Sequence, residues 1–474
     1  MKRASVLFIT LIMIFLCAAV AWQWIIFSKE SGLSLNLPPE KINQEIHVKA
    51  EKAGLNIKQV FSNLEQGRKY DINIPGRIEN LTCLDGEGAP CKDDLENQSF
   101  KARGTRLQLE YIVKVDTSAV EFLLNDWLVS LVEEGVNNTR IELVDKLQRK
   151  GSWVAGIPLK GYKQMDLVNY YVFEGFGNIP SLYWQNTSLA KLSGQKGINY
   201  YSRSQDQLPI YEYDSLINVI NKSHLSVIFN NDNRIVQGNG LVLISKSLSR
   251  NELEHQLATA LISMKLTQLN KDEEWLLEAL ASLVTKGTAM NPKAYAVVKE
   301  LSGKLTKAEL NEFTEILYHD HSSLTHRKLD DHLAGIRGMR TDFFTLNKLE
   351  DNPFYRLLFK DDRRIIVNGE NSNDINIAID GDRKLYPFVK TMETLGFQTV
   401  TDPGMKWIKV SYIGNEYSFN LTNNTFVLNG ENFGLLENPF EVINRTVYVE
   451  QRWLNGVFKI SIEESNQEIV LAVK

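Results

Sequence analysis

SRNELEHQLATALISMKL at Ser249–Leu266 and DEEWLLEALASLV at Asp272–Val284 decide how the middle of this 474-residue chain is read. Ser249 precedes Glu252 by three residues, the S-x-x-E pattern in which hydroxyl and carboxylate satisfy each other's backbone amides at a helix start. The pattern predicts one helix over 250–266 and a second over 272–286. On the first, Asn251 and His255 are four residues apart and so share a face, with Glu252 beside them. Twenty-two residues lie between His255 and Glu278, enough for a helix–turn–helix return.

Two imidazoles at i and i+4 grip zinc, a glutamate between them activates water, and a third ligand arrives from a neighbouring helix. The quoted stretches resemble the active-site helix pair of gluzincin metallopeptidases, especially the peptidase MA-like group. There H-E-x-x-H is followed by a Glu in W-L-x-E-G-x-A. The resemblance puts Asn251 at the first His, Glu252 at the general base, His255 at the second ligand and Glu278 at the third. Trp275 and Leu276 stand ahead of Glu278, and Ala279 replaces the usual Gly. The inverted motif H-x-x-E-H fails at Asn251 too. An amide is neutral and offers oxygen, a poor zinc donor beside imidazole.

The resemblance therefore implies a helical, degenerate peptidase-like domain over 205–346 without zinc or another cofactor. Glu252 is then a catalytic remnant, and Asn251, His255 and Glu278 are a vestigial metal site. The same residues also admit a purely structural reading: a capping box explains Glu252, a neighbour pairs Glu278, and one helical His is ordinary. The opposing alternative is an active zinc metallopeptidase using His255, Glu278 and a further ligand. That ligand could come from YHDHSSLTHRKLDDH, where His319, His321, His326 and His332 stand near Asp320, Asp330 and Asp331. Their spacing matches no familiar site, and a solvated connector is the simpler reading. No G-x-S-x-G, P-loop or dinucleotide fingerprint occurs.

The last hundred residues contain a repeat. IIVNGEN at Ile365–Asn371 recurs as FVLNGEN at Phe426–Asn432, and YPFV before LGF is echoed by Tyr448-Val449 before Gly456-Val457-Phe458. Each unit reads strand, Asn-Gly turn, strand, short helix, Gly, strand. VLNGENFGLLENPFEVINRTVYVEQRWLNGVFKI resembles the stalk domain of bacterial surface proteins, also named after the N-terminal domain of copper amine oxidases. The matching positions are Asn429, Gly430, Pro439, Ile443, Asn444, Arg445, Thr446, Val447, Tyr448, Val449, Arg452 and Gly456, with Glu450 where Pro is usual. The resemblance implies an extracytoplasmic spacer or adhesion module over 360–474. Copper is not implied, because 360–474 contains no His, Cys or Met cluster to hold it.

At the other end, Met1-Lys2-Arg3 precedes an apolar run from Ser5 to Phe27. As a helix it would extend about 35 Å, enough to cross the hydrocarbon core. The leading cations place the bulk of the chain outside, as a single-pass protein of the cell membrane. A cleaved signal peptide is the rival, since Ala19-Val20-Ala21 resembles a cleavage site; Cys17 lacks the small residues of a lipoprotein anchor. Residues 29–69 read as a stalk with a short helix near 49–64. A β-rich domain is expected over 70–204, interrupted by one helix over 118–134 with Leu123, Trp127 and Leu131 on a stripe. Cys83 and Cys91 flank a Gly-rich turn and are a disulfide candidate in an oxidising compartment.

The expected class is α+β, ordered as anchor, β-rich region, helical domain and two-repeat β-rich module. Net charge is −5 with both signs interspersed, which argues against a nucleic-acid partner. The partners anticipated are the membrane through residues 5–27 and a cell-wall, peptide or protein ligand in the cell envelope.

Overall fold

The computed structural model describes residues 41–474, apart from 53, 92–97, 117, 133–134, 148–149, 178, 193, 204–207, 221–222, 231–233, 267–269 and 320–323. The membrane segment expected at 5–27 lies outside the described residues, as do Asp320 and His321. Among the described residues no helix is long and apolar enough to cross a membrane. The chain is a mixed α+β protein.

Residues 43–62 form two nine-residue strands, β1 (Asn43–Glu51) and β2 (Gly54–Ser62). This corrects the short helix expected near 49–64. Ile46, Val48 and Ala50, then Leu55, Ile57 and Phe61, are buried at period two. Gln59 hides that alternation, because it is a polar side chain at a core position. It donates to the Gln44 side chain at 2.9 Å and to the Val129 carbonyl at 2.8 Å, and it accepts from Tyr111 at 2.6 Å. Such a network is tolerated in a core because its members are partnered.

Five further strands complete a seven-stranded sheet: β3 (Ile78–Leu84), β4 (Arg106–Val113), β5 (Asn138–Asp145), β6 (Leu159–Gln164) and β7 (Asn169–Gly175). Their order is β6-β7-β5-β1-β2-β4-β3, with β1 and β5 parallel. The helix expected over 118–134 is absent. Glu121–Leu124 is instead a strand paired with Leu182–Gln185, and the Trp127 indole donates to the Pro180 carbonyl at 2.9 Å. The buried Trp127 and Leu131 belong to a core shared with residues from Ile42 to Trp184, and Leu131 pairs with Ile72.

A five-stranded sheet follows, from β8 (Ala190–Leu192), β9 (Ile198–Ser202), β10 (Leu225–Asn230), β11 (Val236–Gly238) and β12 (Leu241–Ser245), in the order β8-β9-β10-β12-β11. β9, β10 and β12 run parallel, and the edge strands β8 and β11 pair antiparallel with β9 and β12. Helices α1 (Asp214–Ile220), α2 (Arg250–Ser263), α3 (Glu274–Thr285), α4 (Pro292–Lys304), α5 (Lys307–His319), α6 (His326–Arg337) and α7 (Phe343–Leu346) share one core with this sheet. Leu253, Leu257 and Leu261 of α2 meet Leu276 and Leu280 of α3 there, all fully buried. Removing one such Leu side chain costs about 2–5 kcal/mol. The helical segment expected from 326 to 346 is broken at Gly338, whose φ of 66° caps α6 in the left-handed region.

Beyond Pro353 the two repeat units take the same backbone course. Asn368-Gly369 has φ of 50° and 89°, and Asn429-Gly430 has 49° and 89°, the positive pair that a tight hairpin turn demands. Arg383–Pro387 leads into α8 (Phe388–Thr394), and Thr446–Glu450 leads into α9 (Gln451–Phe458). Gly396, φ 93°, follows the first helix, whereas Lys459, φ 56°, ends the second and Gly456 lies within it.

Candidate functional site

Helices α2 and α3 pack against each other, which brings His255 and Glu278 within electrostatic reach while Asn251 and Glu252 stay exposed at the start of α2. Each is engaged differently. Ser249 and Glu252 form the capping box: the Glu252 carboxylate accepts the Ser249 N–H at 2.8 Å and its hydroxyl at 2.6 Å. Those bonds to Ser249 hold the Glu252 carboxyl below the usual range. A carboxylate so held, acidic and turned back on its own helix start, is a poor general base. Asn251, one position earlier, is exposed.

His255 is half-buried. Its imidazole is pushed below the ordinary range by burial, and the negative charge of Glu278 offsets this only in part. The two side chains thus sense each other across the helix pair. Gly287, just past the left-handed Lys286 that ends α3, lies close to the ring: a Cβ there would stand 3.8 Å from Nδ1.

Glu278 is occupied by backbone. Its Oε1 accepts the N–H of Asn291 at 3.0 Å and that of Met290. Asn291 is in turn the N-cap of α4, its side chain accepting from Lys293 N at 2.9 Å and Ala294 N at 3.1 Å. Glu278 therefore holds the turn that starts α4, adding negative charge where the helix dipole favours it. The Asn-Pro pair at 291–292 is a helix-start signature readable in the sequence; that its turn would seize Glu278 is not.

Zinc does not fit this arrangement. Asn251 offers an amide, Glu252 faces its own N-cap, and Glu278 spends Oε1 on two backbone amides, which leaves the His255 imidazole and Glu278 Oε2, fewer good donors than a zinc site needs. Among the described residues no three His, Cys, Asp or Glu side chains are grouped so as to hold a metal ion.

Among the described residues of the histidine-rich stretch, His326 and His332 do not converge. His326 is buried, its Nδ1 3.8 Å from the Glu273 carboxylate. His332 lies tilted against Phe313, with its Nε2 3.1 Å from the Glu312 carbonyl. Six residues of helix put the two about 120° apart around the axis. Asp330 is buried and accepts from Phe344 N at 2.7 Å and Thr345 N at 2.9 Å, capping α7, while Asp331 is exposed. Cys83 and Cys91, both buried, are joined as a disulfide with Cα atoms 5.3 Å apart.

Residues 366–473 match the copper amine oxidase N-terminal domain family. No curated protein matches the chain by sequence. Among solved structures, the chain is similar to an M1 zinc metallopeptidase mutant from Deinococcus radiodurans, with 11% identity and a TM-score of 0.47 over 67% of this chain and 96% of that one. It is also similar to a two-domain M1 zinc metallopeptidase mutant bound to L-tryptophan, with 10% identity and a TM-score of 0.44 over 62% and 91% of the two chains.

Proposed function

We propose that the chain is a non-catalytic cell-envelope protein, anchored in the membrane by residues 5–27, with residues 41–474 outside. In this reading the central helical unit keeps the form of a metallopeptidase without its zinc and recognises a peptide or protein segment, and the C-terminal module is of the stalk type. The observation that carries it is the fate of Glu278: the residue at the third ligand position is bonded to the amides of Met290 and Asn291. The amide at Asn251 and the capping role of Glu252 support the same view. The apolar run at 5–27 and the disulfide suit an oxidising, extracytoplasmic setting.

The test uses the full chain in detergent micelles, incubated with a mixed peptide library and excess zinc and followed by mass spectrometry. No cleavage is expected, with or without chelator. Chelator-sensitive cleavage that disappears in Glu252→Ala would establish the active zinc peptidase instead. For placement, protease added to intact cells should digest the bulk of the chain while it remains with the membrane fraction. Full protection from that protease would contradict the proposed orientation.

A further inference from the structure

The resemblance of 360–474 to a stalk implies a spacer, yet the structure lashes this module to the helical unit along one helix. Helix α4, about 20 Å long at 1.5 Å per residue, is held at both ends. At its start, Glu278 accepts from Met290 and Asn291, and Asn291 donates to Glu350 at 2.7 Å. The buried Lys293 donates to the Leu349 carbonyl. Farther along, the Glu300 carboxylate accepts the Leu357 N–H at 3.0 Å. At its end Lys304 pairs with Asp380, whose side chain is 6% exposed.

Asp380 belongs to the C-terminal module, and it is the centre of a cluster. Arg383 reaches it at 3.0 Å, and Arg356 lies 3.9 Å from it and 3.3 Å from Glu441. Burial alone would raise the Asp380 carboxyl; Lys304 and Arg383 outweigh that and hold it below the usual range. Asn444, in the left-handed region at φ 50°, accepts from Arg356 N at 2.7 Å and donates to Arg356 O at 2.9 Å. Both polar atoms of that side chain are thus used to fix the connecting strap.

We propose that the C-terminal module is a fixed brace that positions the Glu278-held turn through α4, with Asp380 and Asn444 as the positioning residues. The strap at 349–357 follows α4 from Lys293 to Glu300, so displacement of the module pulls on the helix that Glu278 caps. Three apolar residues of α4, Ala294, Val297 and Leu301, are fully buried in the helical core. The helix therefore moves against packed neighbours as a body or not at all. The brace goes beyond the functional reading and stands apart from whether the site binds a ligand.

Amide hydrogen exchange on the full chain in detergent micelles tests it, comparing wild type with Asp380→Asn plus Asn444→Ala, and separately with the more exposed Lys304→Gln. The expected result is at least tenfold faster exchange at Met290, Asn291 and 301–305, with the amides of α2 unchanged. Acceleration confined to 378–386 and 440–446 would overturn it, as the module would then have loosened without moving α4. Acceleration spread evenly over the helical unit would also overturn it, since that marks general destabilisation. Lys304→Gln leaves the module's own Asp380–Arg383 pair in place and so keeps the test available if the double variant does not fold.

Discussion

The Glu278 carboxylate lies 3.0 Å from the backbone nitrogen of Asn291 and accepts its hydrogen. The residue that the resemblance puts at the third ligand position on one helix anchors the start of the next. The same side chain cannot offer those lone pairs to a cation without freeing two amides at a helix N-terminus, where unsatisfied donors are costly. Structural use thus claims Oε1, one of the two oxygens with which the carboxylate could ligate a metal.

Glu278→Ala should accordingly lower stability by about 1 kcal/mol, the net worth of such a bond, since the Asn291 amide is half-buried while Met290 is exposed to water. Glu278→Gln, which keeps one acceptor oxygen, should lose less. Urea unfolding with an unchanged slope reads this directly. Full stability in Glu278→Ala would mean that the carboxylate does not cap the turn.

Asp330 carries a pH dependence of defined sign. Burial raises its carboxyl to about 6 in the folded state, from 3.8, against two backbone hydrogen bonds and with the nearby Asp342 pushing the same way. The group therefore favours folding most when protonated, below about pH 4, and that contribution is lost as pH climbs through about 6. The stability of wild type relative to Asp330→Asn should fall between pH 4 and pH 6.5, measured by urea unfolding across that range. A constant difference would contradict it.

The disulfide closes a short loop between residues eight apart. The chain-entropy relation gives about 2–3 kcal/mol for a loop of that size. The double variant Cys83→Ser, Cys91→Ser should unfold at correspondingly lower urea, and added reductant should affect wild type alone. Equal urea midpoints in wild type and variant would show that the bridge contributes nothing.

Gly54 opens β2 at φ 134°, where an added Cβ would come 2.5 Å from the Val113 carbonyl oxygen. Positive φ and a backbone clash act together there. Gly54→Ala should cost more than about 1 kcal/mol, read as a drop in melting temperature. A neutral effect would mean that the β1–β2 turn does not hold Gly54 against the Val113 carbonyl.

What could be read from the chain beforehand was what local spacing encodes. The capping box at Ser249 and Glu252 marked the start of α2, and two Asn-Gly pairs marked hairpins that the backbone adopts almost identically. The strands at 43–62 were hidden by Gln59, a polar residue whose core position is explained only by Gln44, Tyr111 and Val129 from distant segments. Leu123, Trp127 and Leu131 mimicked a helical stripe, yet each is held by a different distant segment: Leu123 pairs with Tyr183, the Trp127 indole donates to the Pro180 carbonyl, and Leu131 pairs with Ile72. At the site, the spacing of His255 and Glu278 placed them within electrostatic reach, but the turn at 290–291 that claims Glu278 is a tertiary fact. The brace through Asp380 and Asn444 joins residues 76 and 88 positions from their partners and left no local trace.

The zinc content of the purified full chain tests the central claim most directly, measured after growth with zinc and dialysis without chelator. Well under one zinc per chain is expected, with the same value for His255→Ala. One zinc per chain that vanishes in His255→Ala would contradict it, because the donor set around His255 would then be rich enough to grip the ion.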